Sequence, residues 1–570
     1  QGERYVTPRT RSQRALLLRL AALLAIVTFI GAACGGGDDD EDAGGEEDAV
    51  ERTDTKDEGT PKAGGSVSMA LEAESAGWQP CVDSFSESGT MVMRAIYDPL
   101  TSRDSEGEVK PFLAESIEPN ADATEWTLKL RSGVKFHDGT ALDSAVLKHN
   151  FDAAKQPASR CFGALAPIKE MQVVDPLTVK YVMTSPYGPF PELLATSYPF
   201  SPTNADKRGK DVSANPVGTG PFVFDSWERD SKLVVKKNPN YWQKGLPYLD
   251  QVTFRPIPDE DARLAAVQSG EVDMMHTLRQ QYVKSARDLG DEVERYEFVG
   301  NNCGGSIFNT VRPPVDDKRV RKALAYAMNQ EELIAILGGE GISPGCTQFF
   351  SEDSPWYSEK VAKAYPQNKT AEAKKLIDAY KNDEARSDKK PVGSEVAVEF
   401  NCPPDPTLVA VAQGYQQQAT AAGIKMNLNQ VEQATHINNA VGKAPFTDAD
   451  YMINCWRLGA QSDPDTVLFT QYADPNGQAA NVTNFNNKQV QTLLQQGREE
   501  TDFEKRKAIY EQIHEIFNDE VPHVWTGATV TSVVTKKNIR GVEAWKFPNG
   551  DKGSGAENSG VRFLSVWVGE

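Results

Sequence analysis

The sequence predicts an α/β protein of at least two domains, and three observations carry that prediction. The stretch from about Pro61 to Glu570 is longer than one hydrophobic core ordinarily organises. Its first half reads as strands. Period-two alternation in "WTLKL" (Trp126–Leu130) and "KLVVK" (Lys232–Lys236), bounded by Gly, Asn and Asp, marks half-buried strands joined by tight turns. After Pro314 helices alternate with strands, the pattern of a sheet in mixed or parallel order.

Along the chain, strands are expected in "GGSVSMAL" from Gly64, "EWTLKLRSGVKF", "LTVKYVM", "PFVFDSWE", "KLVVKKN" and "QVTFRPI". In "GVKFHDGT", Asp138–Gly139 makes a turn in which Gly supplies the positive φ, and His137 is a turn residue rather than a ligand. "VGTGPF" needs Gly218 and Gly220 for backbone conformations closed to other residues; no GK[ST] follows, so it is not a phosphate loop. Tyr241 and Trp242 of "NPNYW" read as core. "DKRVRKALAYAMNQEELIAIL" and "DPTLVAVAQGYQQQATAAG" carry apolar residues at helical spacing, with Asp316 and Asp405 as helix starts. The second runs through Gly423 into the strand "IKMNLNQVE". "FEKRKAIYEQIHEIFNDE" is an amphipathic helix with His514–Glu515 on its solvated face, and "HVWTGATVTSVVT" is a strand.

The N-terminal stretch differs in kind. Arg4, Arg9, Arg11, Arg14 and Arg19 precede Leu20–Ile30, an uncharged apolar run too short to span a bilayer, and Gly31, Ala32 and Ala33 lead to Cys34. This resembles a bacterial lipoprotein signal, although Gly31 stands where such signals usually have Leu. The resemblance implies removal of residues 1–33, lipidation of Cys34 and anchoring on the extracytoplasmic face of the membrane. Residues 34–63, dense in acid and glycine, are expected to be a disordered tether. A net charge of −20 argues against a nucleic-acid partner.

Six cysteines remain, Cys81, Cys161, Cys303, Cys346, Cys402 and Cys455, and an even count in an exported protein reads as disulfides. Sequence does not choose among the pairings; Cys81–Cys161, Cys303–Cys455 and Cys346–Cys402 are the ones expected here. No C-x-x-C spacing suggests zinc. With six histidines, no H-E-x-x-H and no G-x-S-x-G, neither a catalytic residue, a metal nor a cofactor is expected.

Four long stretches together resemble the extracellular solute-binding proteins of family 5. They are Leu113–Asp152, Asn215–Trp242, Pro258–Met275 and Phe308–Ile334, in the family's order. The resemblance implies a two-lobed periplasmic-binding-protein-like fold of the large, cluster C type, with a hinge. Lobe I would comprise 64–310, with a subdomain at 96–216, and return at 525–570; lobe II would be 311–524. It implies a monomeric binding subunit that holds a small molecule or peptide between its lobes and works with separate ABC permease and ATPase subunits. The alternative is a sensing or chaperone-like binding protein without transport. The ligand-lining residues implied are Ser88, Gly89 and Thr90, then Asn454, Trp456, Arg457 and Asp463, then Trp525. Peptide binders of this family usually place an Asp, which pairs with the ligand's amino group, where Ala460 stands here; Asp463 could take that place one residue out of register.

Overall fold

The structure, a computed structural model, describes residues 59–83, 85, 88–157, 159–195, 203, 212–441, 450–456, 463–474, 481–555 and 560–570. Cys34, Arg457 and Ala460 lie outside the described residues, as do the signal and most of the tether. No described helix is long and apolar enough to cross a membrane.

The six strands expected in the first half form, and three that were not expected, Ala114–Pro119, Ile168–Asp175 and Met274–Thr277, lie among them. They are β1 (Ser66–Leu71), β2 (Ala114–Pro119), β3 (Glu125–Leu130), β4 (Ile168–Asp175), β5 (Thr178–Met183), β6 (Phe222–Glu228), β7 (Lys232–Lys237), β8 (Gln251–Pro256) and β9 (Met274–Thr277). The alternation read in "WTLKL" is a real inside-outside pattern, with Trp126, Leu128 and Leu130 buried and Thr127 and Lys129 exposed. β2 to β5 make a separate four-stranded antiparallel sheet in the order β2-β3-β5-β4, covered by helix α1 (Ser144–Ala154), with its own core around Leu128, Phe151 and Tyr181. Gly139 takes φ 84°, as the turn demands.

The later strands are β10 (Glu294–Phe308), β11 (Val396–Cys402), β12 (Ile424–Gln430), β13 (Ile453–Trp456) and β14 (His523–Thr535). They join the first set in one ten-stranded mixed sheet, ordered β12-β11-β13-β10-β14-β9-β1-β8-β7-β6. β10 and β14 are the long antiparallel pair on which both halves of the molecule hang. Their one end, Glu294–Val299 against Val530–Thr535, lies where β14 also pairs β9; their other end, Cys303–Ile307 against His523–Ala528, lies where β10 also pairs β13. The register slips between Val299 and Cys303, an irregularity that lets a strand bend. The boundaries expected at 310/311 and 524/525 fall at one end of this pair, and the exchange of sheet neighbours lies inside it.

Helix α2 (Lys318–Ala327) begins on Asp317, whose side chain accepts the Arg319 N–H at 2.8 Å; Asp316, the expected start, instead accepts the Ser387 hydroxyl at 2.6 Å. The apolar run does not continue as one helix. It stops at Met328, and Asn329 caps a second helix, α3 (Gln330–Ile336). Asp405 caps helix α4 (Pro406–Ala421), which ends through Gly423 at φ 87° into β12. Helices α5 (Lys488–Glu499) and α6 (Phe503–Glu520) pack on one another. His514 on α6 is a correction: it is buried beside Phe350 and Phe517, and burial pushes its pKa down to about 4. The reason for Gly218 and Gly220 is also different from the expected one. Neither has a positive φ; a Cβ on Gly218 would stand 2.1 Å from the Ile96 carbonyl oxygen, so close approach decides them.

Three disulfides form, Cys81–Cys161, Cys303–Cys346 and Cys402–Cys455. The expected Cys303–Cys455 and Cys346–Cys402 pairings are overturned, for a reason of strand geometry. Cys455 lies opposite Ser306 on β10, so its side chain leaves the face opposite to that of Cys303. On its own face it meets Cys402, one residue beyond the Asn401–Asn454 pair of β11 and β13. Cys303 turns the other way, toward Cys346 and the Phe349 backbone.

Candidate functional site

Residues facing one another across paired strands share a face of the sheet. Asn454 on β13 stands opposite Ile307 on β10, and Ile307 stands opposite His523 on β14. Two residues further along, Trp456 and Trp525 flank Gly305 in the same way. One face of the sheet, beside the slipped register, therefore carries Asn454, His523, Trp456 and Trp525, with no side chain between the two tryptophans. Asn401 on β11 extends the first row, accepting from the Asn429 amide at 3.0 Å.

The polar groups of this face are short of partners. Asn454 is wholly buried, and neither its amide nitrogen nor its amide oxygen has a hydrogen bond among the described residues. His436 lies at 6.0 Å from the Trp456 ring, and its Nε2 sits 2.9 Å from the Cys455 carbonyl oxygen. A carbonyl only accepts, so Nε2 carries the proton and Nδ1 is a bare acceptor with no partner among the described residues. Burial lowers the His436 pKa, so the ring is neutral. His523 is stacked on Trp525 at 4.0 Å, its Nδ1 lies 3.4 Å from the Tyr472 hydroxyl, and its Nε2 has no partner among the described residues. Burial pushes its pKa down to about 3. Buried groups left in this state cost about 1–3 kcal/mol each unless something else meets them.

The acidic loop that follows β13 is the reverse case. Asp463, wholly buried, takes Arg506 Nη1 at 2.5 Å and Nη2 at 2.7 Å, and its Oδ1 also accepts the Asp465 N–H at 2.8 Å. Asp465 takes Arg498 at 2.8 and 3.1 Å and the Tyr187 hydroxyl at 3.0 Å. Burial first, then the Asp465 charge, hold that hydroxyl protonated far above its ordinary range. Both carboxylates are thus met by the chain itself.

Of the residues expected at the site, the structure brings Asn454, Trp456 and Trp525 to one face. Trp456 is half-buried, whereas Trp525 is buried with Phe349 at its edge and the Tyr365 hydroxyl receiving its N–H. Asp463 is placed in a buried ion pair beside that face. Ser88 precedes a further helix, Gly89–Ile96, at its N-cap position, with Gly89 and Thr90 in its first turn; the Ser88 side chain makes no capping bond. His436 and His523 were missed by sequence reasoning. His523 was legible in principle, two residues before Trp525 on the same strand face; nothing local distinguished His436.

One cavity lies elsewhere. A partly open pocket of about 390 Å³ lies between α1 and the small sheet, walled by Leu147, Phe151, Ile168, Met171 and Tyr181, and none of the expected ligand residues lines it. Among the described residues, no group of three or more His, Cys, Asp or Glu could hold a metal.

Comparison with known proteins supplies the context for this geometry. The model of the bacterial extracellular solute-binding proteins, family 5, matches residues 108–479, more than half of the chain. A glutathione-binding protein, GsiB, of Shigella dysenteriae is 28% identical over 475 residues, covering 80% of this chain and 88% of its own. Among solved structures, the PBP AgaA from A. tumefaciens R10, in complex with agropinic acid, superposes with a TM-score of 0.72 at 26% identity, over 89% of this chain and 99% of its own. DppA from Helicobacter pylori, in complex with the peptide STSA, gives a TM-score of 0.72 at 21% identity over 89% and 99%, a likeness of fold. The architecture is that of the two-lobed binding proteins.

Proposed function

We propose, because the chain belongs to family 5 of the bacterial extracellular solute-binding proteins, that it captures a small peptide-like solute between its two lobes and delivers it to the permease of an ABC importer. Lobe I is taken as 64–310 with 525–570 and lobe II as 311–524. The chain acts outside the cytoplasm, as a monomeric binding subunit held to the membrane by lipid on Cys34. The observation that carries the reading is the wholly buried Asn454 amide, without a partner among the described residues, on the strand face shared with Trp456 and Trp525. An amide offers one donor edge and one acceptor edge, the complement of a peptide group, and an indole offers a flat apolar wall. The relatives that bind glutathione and the peptide STSA are consistent with a ligand of that kind.

Arg457, next to Trp456 in sequence, completes the proposed lining together with the Ser88–Thr90 turn. Asp463 is not free to neutralise a ligand's ammonium, since Arg506 occupies both its oxygens. The solute is therefore one without an α-amino terminus recognised in the usual way: a blocked or unusual peptide, or a different polar solute. Calorimetry with free and N-acetylated short peptides tests this: heat from the acetylated forms and none from the free forms is expected. Tight binding of free dipeptides, abolished by acetylation, would overturn it. Intact-mass analysis of the membrane fraction tests the anchor, and a free thiol at Cys34 would refute it. Solute uptake in a deletion strain separates transport from sensing: uptake lost supports delivery, uptake intact with altered signalling contradicts it.

A further inference from the structure

We propose that Tyr187 and Gly188 form a latch that holds the two lobes together when no solute is bound. The proposal rests on the two-lobed reading above. Tyr187 is fixed to its own lobe through its backbone: its N–H donates to the Ala123 carbonyl at 3.0 Å, and its carbonyl accepts the Trp126 indole N–H at 3.0 Å. Its side chain crosses to the other lobe, where the hydroxyl donates to Asp465 at 3.0 Å with both residues only 2% exposed. The Arg498 guanidinium stands 5.3 Å from the Tyr187 ring and 3.4 Å over the Phe469 ring. One residue on, the Gly188 N–H donates to the Arg498 carbonyl at 2.8 Å. Only glycine permits that approach, since a Cβ at 188 would lie 2.4 Å from the Glu500 carbonyl oxygen.

The chemistry makes this contact releasable. Asp465 keeps Arg498 when Tyr187 leaves, so opening strands no buried charge. Tyr187 and Gly188 lose one neutral donor's bond each and regain water. The same contact exists in the empty and the filled closed states. It therefore slows entry and release, and weakening it lowers the apparent affinity only in proportion to the closed fraction that is lost.

The test uses the full chain freed of solute, with its disulfides intact, in small-angle scattering. The parent is compared with Tyr187→Phe, which removes only the hydroxyl, and Gly188→Ala, which forces the segments apart. A hydrogen bond to a carboxylate corresponds to about tenfold in the ratio of closed to open molecules. Both variants, with the parent's circular dichroism, are expected to show a larger radius of gyration without solute. A parent already extended, or either folded variant with the parent's radius, overturns the latch. Because no solute is added, this outcome is independent of whether the proposed cargo is right.

Discussion

Two neighbouring regions of the second lobe treat buried polarity in opposite ways. In the loop after β13, Asp463 and Asp465 are each met by an arginine, with hydrogen bonds on all four carboxylate oxygens. On β13 itself, nine residues before Asp463 in the chain, Asn454 is equally buried and meets nothing among the described residues, and one ring nitrogen each of His436 (Nδ1) and His523 (Nε2) repeats the pattern. The loop's polarity is consumed inside the protein, where it fixes the loop on α5 and α6. The strand's polarity is neutral and, among the described residues, unsatisfied, which is the basis of the proposal that it meets the solute.

The sharpest way to break this contrast is Arg506→Leu. It leaves Asp463 charged and buried, and should reduce unfolding free energy in urea by about 3–5 kcal/mol. A variant as stable as the parent but unable to bind solute would place Asp463 on the ligand side instead. Next in size, the double replacement Cys402→Ser with Cys455→Ser should cost about 2–4 kcal/mol, because it removes the cross-link between β11 and β13. Non-reducing peptide mapping should recover Cys303 joined to Cys346; a Cys303–Cys455 peptide would contradict the strand-face argument.

Asn454→Leu probes the unsatisfied side. Removing two unpartnered polar atoms should leave stability unchanged or raised by about 1–3 kcal/mol, while solute affinity falls tenfold or more, about 1.4 kcal/mol. Lower stability with intact binding would mean the amide is bonded within the fold. The smallest effect is a pH slope. His523 is held neutral by burial, with its pKa near 3 against about 6.5 in the unfolded chain. The unfolded chain therefore binds an extra proton between those values, and stability falls as pH drops below about 6.5. His514, near 4, acts in the same direction, while Asp98, raised to about 7 by burial, opposes them between about 4 and 7. The difference between the parent and His523→Phe isolates one proton's worth of slope; parallel pH curves would show that His523 is solvated.

Much of the fold was legible because it is written in local periodicity. The strand alternation of Trp126–Leu130, the Asp405 cap with its Gly423 exit, and the long strand His523–Thr535 all form where local rules put them. Part of what failed was set at a distance. Two disulfide pairings depended on which strands become neighbours; the helix break at Met328–Asn329 was missed for another reason, since Asn329 with Glu332 three residues on is a local helix-start pattern. Of the candidate site residues, Asn454, Trp456 and Trp525 were named by the family resemblance, and the structure places these three on one strand face. His436 was not readable, because its meaning lies in a bond to the Cys455 carbonyl that only the fold creates.

The measurement that tests the account most directly is a structure of the chain with the solute it carries from its host cell. The account predicts solute between the lobes against Trp456, with its polar groups bonded to the Asn454 amide. Solute found only in the apolar cavity of about 390 Å³ under α1, with Asn454 still unpaired, would contradict it.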